Sequence, residues 1–177
     1  MTEVWLKQNR RAVLMGMLFP IVAELIGLTL AAVGWLMPQT VLFWIGTTIF
    51  VLAQLALIGV AVHAATPRIA YRDGSLYLYV RSGGPVRVPI AVVEGFLLGQ
   101  GPTMLPGQSH DWETSTLVMK LADKAEEFRQ VESKPALASW CNSYVTFRGT
   151  WCEPLNIEVV NRLNTRLGAI RAERKSA

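Results

Sequence analysis

AVLMGMLFPIVAELIGLTLAAVGWLM (residues 12–37) and VLFWIGTTIFVLAQLALIGVAVHAA (residues 41–65) are the two apolar stretches that decide the fold of this chain. A helix needs about 20 residues to cross the ~30 Å hydrocarbon core of a bilayer, and each stretch is longer than that. Only the turn MPQT at residues 37–40 separates them. The sequence therefore predicts an antiparallel transmembrane hairpin within residues 1–66, followed by a polar domain of residues 67–177.

The basic residues that flank the two stretches predict the topology. Lys7, Arg10 and Arg11 lie before the first stretch, Arg68 and Arg72 follow the second, and the turn carries no charge. Basic residues near the ends of membrane helices stay on the cytoplasmic side. We therefore expect a multi-pass protein of the cytoplasmic (inner) membrane with both termini in the cytoplasm. A cleaved signal peptide is the alternative for the first stretch, but its apolar part is too long and a second span follows at once.

The charge balance of the polar domain gives no reason to expect a nucleic-acid partner. From residue 67 onward there are 14 Lys and Arg and 11 Asp and Glu, a net charge of +3. The mean hydropathy of the whole chain, +0.32, is high for a soluble protein and reflects the two apolar stretches. Cys141 and Cys152 would face a reducing compartment, which favours free thiols. Their spacing is not that of a metal site, and we expect no metal, cofactor or catalytic centre.

An acidic residue lies deep in the first apolar stretch. Glu24 is about 12 residues inside it, roughly 18 Å at about 1.5 Å per residue. Folding about the turn brings together residues whose numbers add up to about 77, so Glu24 should lie near Gln54 and Thr29 near Thr48. At such a depth a carboxyl group favours its protonated form and a hydrogen-bond partner. The polar pair either holds the hairpin together, or drives oligomerisation, or serves as a proton or ion relay.

Small residues on the first helix should let the two helices approach closely. Gly27, Ala31 and Gly34 follow Glu24 on one helix face. Tryptophans near the expected membrane interfaces are Trp5, Trp35 and Trp44, for which anchoring is the ordinary role.

The polar domain reads as a small β domain. The dipeptide Asp73-Gly74 is a strong signal for a two-residue hairpin turn, and residues 90–93 predict a short helical turn. We expect a long loop rich in Gly and Pro at residues 99–115. Seven strands are predicted, at residues 69–72, 76–80, 86–88, 94–98, 116–121, 127–132 and 144–148.

The end of the chain changes to a helical period. Pro154 suits the first turn of a helix, and apolar residues then recur at spacings of three and four, as in an amphipathic helix. These are Val160, Leu163, Leu167 and Ile170. Arginines line much of the other face, which is usually only solvated but is also a candidate membrane- or partner-binding face; these are Arg162, Arg166, Arg171 and Arg174.

Several short motifs in this order resemble the bacterial membrane-anchored family of pleckstrin-homology-like (PH-like) domains with an N-terminal transmembrane hairpin. The motifs are Asp73-Gly74-Ser75-Leu76, Val88-Pro89-Ile90 with Val93, the strand at 117–121, and Val145-Thr146-Phe147 before the helix. The resemblance covers nearly the whole chain and implies a mainly β PH-like domain of about seven strands plus a C-terminal amphipathic helix. It implies a membrane-side adaptor role and offers no catalytic residues to transfer. The loop at 99–115 departs from the compact pattern of the family.

The function predicted from the sequence is that of a non-enzymatic, membrane-anchored module. Its candidate interaction surface combines the loop residues His110, Asp111 and Trp112 with Arg162 and Arg166 of the last helix. The expected partners are the lipid bilayer and either another protein or further copies of the chain. The alternative is a small subunit of a membrane transporter or enzyme that uses Glu24 as an intramembrane polar or proton site.

Overall fold

The computed structural model of the protein describes residues 2–81, 83–102, 113–128 and 131–176. The chain divides into two compact units. One unit is helical and comprises residues 10–66. The other comprises residues 67–177 together with the first nine residues of the chain, which the sequence pattern had placed with the hairpin.

The helical unit consists of two long apolar helices, as predicted. Helix α1 runs over Arg10–Leu36 and helix α2 over Thr40–Ala65. Both are long and apolar enough to cross a membrane, and only 11% of the most apolar 18-residue window of each is buried. A core helix of a soluble protein would be mostly buried, so the exposure of these apolar side chains sets the two helices apart from such a core.

Glycines bring the backbones of the two helices into direct contact. Gly27, Gly34 and Gly46 are buried between the helices. A Cβ atom on Gly27 would lie 2.6 Å from the backbone nitrogen of Phe50, and one on Gly46 would overlap the backbone nitrogen of Ala31. The predicted small-residue face of α1 is therefore the face that packs against α2.

Thr29 and Thr48, which the sequence predicts to face each other, each make a hydrogen bond within their own helix. Both threonines are exposed, and each hydroxyl donates a hydrogen bond to the carbonyl four residues earlier in its own helix. The distances are 2.7 Å from Thr29 Oγ1 to the Leu25 oxygen and 2.8 Å from Thr48 Oγ1 to the Trp44 oxygen. Both hydroxyls are therefore satisfied without a partner on the other helix.

The other unit contains two antiparallel four-stranded sheets and a helix in the described residues. The first sheet has the order β1-β2-β3-β4, with strands Glu3–Leu6, Ile69–Arg72, Ser75–Leu78 and Val86–Pro89. The second has the order β5-β6-β8-β7, where β5 is Val93–Pro102, β6 is Glu113–Leu121, β7 is Ala138–Cys141 and β8 is Tyr144–Arg148. Helix α3 follows at Ile157–Ser176, and short 3-10 turns occupy Ile90–Val92, Glu126–Phe128 and Gly149–Trp151.

Strand β1 is an eighth strand that the sequence patterns did not reveal. It precedes α1 in the chain but pairs with β2, which follows α2, in the register Glu3↔Tyr71 and Val4↔Ala70. Trp5 is only 4% exposed; its ring stacks on Tyr71 at 5.7 Å between centroids and meets the edge of Phe96 at 6.2 Å. The prediction that Trp5 anchors a membrane interface is therefore wrong, because its side chain is part of the β core.

One strand prediction is wrong. The predicted strand at 127–132 is absent from the described residues of that stretch, where Glu126–Phe128 forms a 3-10 turn instead. The strand that pairs with β8 at one edge of the second sheet is β7, which begins eleven residues further on. Phe128 is buried under this turn, and its carbonyl accepts a hydrogen bond from the Trp140 indole.

The predicted loop at 99–115 is shorter than expected. Strands β5 and β6 extend into it and pair as far as Pro102↔Glu113, so only residues 103–112 lie between them. Those ten residues lie outside the described part of the chain.

The local signals of the β unit are confirmed. Asp73 and Gly74 adopt positive φ angles of 49° and 75° in the tight turn between β2 and β3, where Gly74 has the conformational freedom that the turn requires. The apolar stripe of α3 is buried, with Val160, Leu163, Leu167 and Ile170 each at most 4% exposed. The helix starts at Ile157 and not near Pro154. Asn156 caps it, since its Oδ1 accepts the Val159 N–H at 2.9 Å.

We expect the Gly46→Ala substitution to weaken the packing of the hairpin by about 1–3 kcal/mol, because the added methyl group would overlap the backbone of α1. The matched control is Gly59→Ala in the same helix, where a Cβ would meet nothing within 4 Å. Unfolding of the full chain in mixed micelles of increasing dodecyl sulfate content measures both. Equal stability of the two variants would contradict the direct backbone contact.

Trp5→Ala should destabilise the β unit by about 3–5 kcal/mol, as expected for truncation of a buried aromatic residue. Val4→Ala in the same strand is the control, since Val4 is 47% exposed and its loss should cost about 0.5 kcal/mol or less. Resistance of the β unit to proteolysis in urea measures the difference. A Trp5 variant as stable as the Val4 variant would show that β1 does not belong to the core.

Candidate functional site

A cavity of about 420 Å³ opens between strand β1 and helix α3. Its size falls in the range of small-molecule sites, roughly 300–1,000 Å³. Apolar side chains and a rim of charged groups line it: Glu3, Val4, Trp5, Arg162, Leu163, Thr165, Arg166 and Ala169. Both arginines of the predicted interaction surface therefore lie at one cavity.

The charges at the rim of this cavity are paired within the β unit. Arg166 donates two hydrogen bonds to Glu3, from Nε to Oε1 at 2.8 Å and from Nη2 to Oε2 at 3.0 Å. Arg162 Nη2 donates to Glu153 Oε1 at 2.7 Å and to the backbone oxygen of Trp5 at 3.4 Å. The basic face of α3 thus holds the N-terminal strand, while both arginines remain about half exposed.

The Arg166–Glu3 pair has a defined pH dependence. The hydrogen bond from Arg166 holds the pKa of the Glu3 carboxyl below its ordinary value of 4.5. A carboxyl whose pKa is lowered by folding contributes stability above its ordinary pKa, and this contribution is lost as the pH falls through the folded value. The tie between β1 and α3 is therefore intact at neutral pH and weakens only in acid.

The indole of Trp5 offers a buried donor beside this cavity. It helps to lower the pKa of Glu3, but its Nε1–H makes no hydrogen bond of ordinary geometry with any residue that the structure describes. A buried donor without an acceptor is unfavourable, and each such group calls for an explanation.

Helix α3 also covers the outer edge of strand β5. The Asn164 side chain pairs with the backbone of Phe96, accepting its N–H at 2.8 Å and donating to its carbonyl at 2.8 Å. Arg171 donates to the carbonyls of Val93 and Glu94. These contacts satisfy the edge of the sheet and fix the position of α3, and with it the cavity.

The predicted interaction surface also includes three residues that come between β5 and β6 in the chain. His110, Asp111 and Trp112 lie outside the described residues, so their part of the predicted surface stays a prediction. Within the described ranges, no group of three or more His, Cys, Asp or Glu side chains is arranged to hold a metal ion.

The structure does bring Glu24 and Gln54 together between α1 and α2. Gln54 Nε2 donates a hydrogen bond to Glu24 Oε1, and both side chains are half-buried. The contact follows from the antiparallel register that the glycines allow.

One of the basic residues that flank the apolar stretches is buried, which the sequence pattern does not indicate. Arg68 is only 2% exposed, and its Nε donates to the Trp151 carbonyl at 3.1 Å. Burial lowers its pKa. Beside it, burial raises the pKa of the Cys152 thiol to about 12, an effect that Arg68 partly offsets. Both cysteines are free thiols, with Cys141 exposed and Cys152 buried.

The chain was compared with known protein families, proteins and structures. No family model, no curated protein and no solved structure matches the chain.

At pH 8, native protein should react with one equivalent of iodoacetamide, at the exposed Cys141. With a pKa of about 12, only about one Cys152 in ten thousand is a thiolate at that pH, and burial also excludes the reagent. Mass spectrometry of the intact chain counts the adducts. The Cys141→Ser variant should stay unmodified until it is unfolded; rapid labelling of Cys152 in that folded variant would contradict its burial.

Proposed function

We propose that this chain is a non-enzymatic, membrane-anchored module of the PH-like type that presents a protein- or lipid-interaction surface at the cytoplasmic face of a bacterial inner membrane. The observation that carries the proposal is the pairing of β1 with β2 on either side of the two apolar helices. The β unit is thereby joined to both ends of the hairpin.

The pairing supports a single side for both ends of the hairpin. Asn9, the last residue of the β unit before the helices, is followed directly by Arg10, the first residue of α1. If the helices cross a bilayer, the chain returns to the side from which it left, and the β unit is tethered close to that surface. The flanking basic residues favour the cytoplasmic side.

The cavity between β1 and α3 supports an interaction role for the β unit. It combines apolar walls with a few polar groups, which is typical of binding sites. Strand β1, which forms one wall, is also the segment that leads into the first apolar helix. A ligand or partner bound there would contact the strand that is tied to the membrane anchor.

The PH-like assignment remains part of the proposal. Two antiparallel sheets followed by a C-terminal helix are compatible with it. The extra strand β1 and the order β5-β6-β8-β7 are features that the motif pattern alone does not predict. A fold likeness would in any case be a weak guide to the ligand.

Photo-crosslinking in living cells tests the interaction role of the cavity. A photoreactive amino acid at Thr165, which lines the cavity, should give a specific adduct. The same amino acid at Gly168, where a Cβ would meet nothing within 4 Å, should not. Ala169→Phe, which fills the cavity, should reduce the Thr165 adduct by about tenfold or more. The mass of the adduct distinguishes a protein partner from a lipid.

Two outcomes would count against this proposal. Equal adducts at Thr165 and Gly168, or an adduct insensitive to Ala169→Phe, would remove the cavity as the interaction surface. A proton or ion flux through reconstituted chain that is abolished by Glu24→Gln would favour the transporter-subunit alternative.

A further inference from the structure

The polar pair in the helical unit is only partly satisfied. The hydrogen bond from Gln54 Nε2 to Glu24 Oε1 is the one that the pair makes within the described residues. It leaves the second carboxyl oxygen of Glu24 and the carbonyl oxygen and second N–H of Gln54 without partners there. Neither oxygen is among the buried unsatisfied atoms of the described chain, so both oxygens are accessible at the surface of the hairpin.

Inside a bilayer the surroundings of the hairpin cannot satisfy these atoms. The hydrocarbon core holds no water to accept or donate hydrogen bonds, and polar side chains at that depth face protein or a polar cavity. The other polar groups of the spans behave differently, since the hydroxyls of Thr29 and Thr48 are already bonded within their own helices. The pair therefore differs from these threonines, because its chemistry requires a further partner.

We infer that this partner is a second copy of the chain, so that Glu24 and Gln54 form the centre of a symmetric dimer within the membrane. The inference rests on the proposal that α1 and α2 span a bilayer. All copies insert in the same direction, so a dimer axis runs along the membrane normal and keeps every residue at its own depth. Glu24 and Gln54 already share one depth, because they are hydrogen-bonded to each other.

The chemistry of the pair is complementary to itself. A protonated Glu24 donates its O–H to the open carbonyl oxygen of the partner's Gln54, and the symmetry repeats this bond in the other direction. Each copy keeps its internal hydrogen bond, since that bond uses the other carboxyl oxygen and the amide nitrogen. The second carboxyl oxygen of Glu24 and the carbonyl oxygen of Gln54, both open in one copy, are therefore paired in the dimer.

Energy transfer between labelled chains in proteoliposomes tests the dimer, with the exposed Cys141 as the dye site. Wild-type chain should show transfer that saturates with protein density in the lipid. Glu24→Leu and Gln54→Leu should each weaken association by about tenfold. Glu24→Gln should retain it, since an amide supplies both a donor and an acceptor, and Thr29→Val should leave it unchanged.

Mixing the two leucine variants separates a direct contact from a general effect on folding. A Glu24→Leu chain still carries Gln54, and a Gln54→Leu chain still carries Glu24, so a mixed pair regains one of the two intermolecular bonds. Association in the mixture should therefore exceed that of either variant alone. Circular dichroism of the α-helices checks that both variants fold.

The possible outcomes distinguish failure of the dimer from failure of the membrane proposal. A wild-type chain that remains in the bilayer but is monomeric at every density overturns this inference alone, as does undiminished association of the leucine variants. Leucine variants that lose association without rescue in the mixture would also overturn it. Release of wild-type chain from membranes by alkaline carbonate would overturn the membrane proposal and this inference with it.

Discussion

The pairing of β1 with β2 is the constraint on which the rest of the structure depends. Four residues at the start of the chain join a sheet whose next strand lies beyond both apolar helices. The residues on either side of the helices are also fixed to the β unit. The Arg68 N–H bonds the Leu6 carbonyl at 2.9 Å, the Glu153 N–H bonds the Lys7 carbonyl at 3.0 Å, and the Asn9 N–H bonds the Trp151 carbonyl at 3.3 Å. The hairpin is thus inserted between the first two strands of the β unit.

Burial and not charge holds this strand in place. Trp5 and Leu6 are 4% and 0% exposed, and complete burial of a large apolar side chain contributes roughly 1.5–3 kcal/mol. The ion pairs of Arg166 with Glu3 and of Arg162 with Glu153 are partly exposed, and water and salt screen such pairs. Their bidentate and bridging geometry fixes the position of α3 against β1 more than it stabilises the fold.

The sequence predicted the features whose signals are local. The Asp73-Gly74 turn, the apolar stripe of α3 and the two long apolar helices each show within a window of a few turns. Strand β1 does not, because four residues carry too little periodicity and the partner strand is more than 60 residues away. The ion pairs Arg166–Glu3 and Arg162–Glu153 could not be predicted for a related reason. An arginine that only contacts water and an arginine that pairs with a distant carboxylate look the same in a helical pattern. Residues 127–132 were predicted as a strand, but Glu126–Phe128 forms a 3-10 turn that buries Phe128, a local arrangement that the sequence pattern does not indicate.

The register of the hairpin links its glycines to its polar pair. Gly27 lies over Phe50, Gly46 over Ala31, and Gly34 over Phe43, and all three contacts require the same offset between the helices. That offset places Glu24 opposite Gln54, so the packing of small residues and the hydrogen bond specify one arrangement. A shift of one helical turn, about 5.4 Å, would bring side chains onto the glycines and separate the two polar groups. Because the steric and polar requirements agree, the whole length of the helix contact sets the position of Glu24 and Gln54 along the hairpin, and the polar groups that remain open lie at that position.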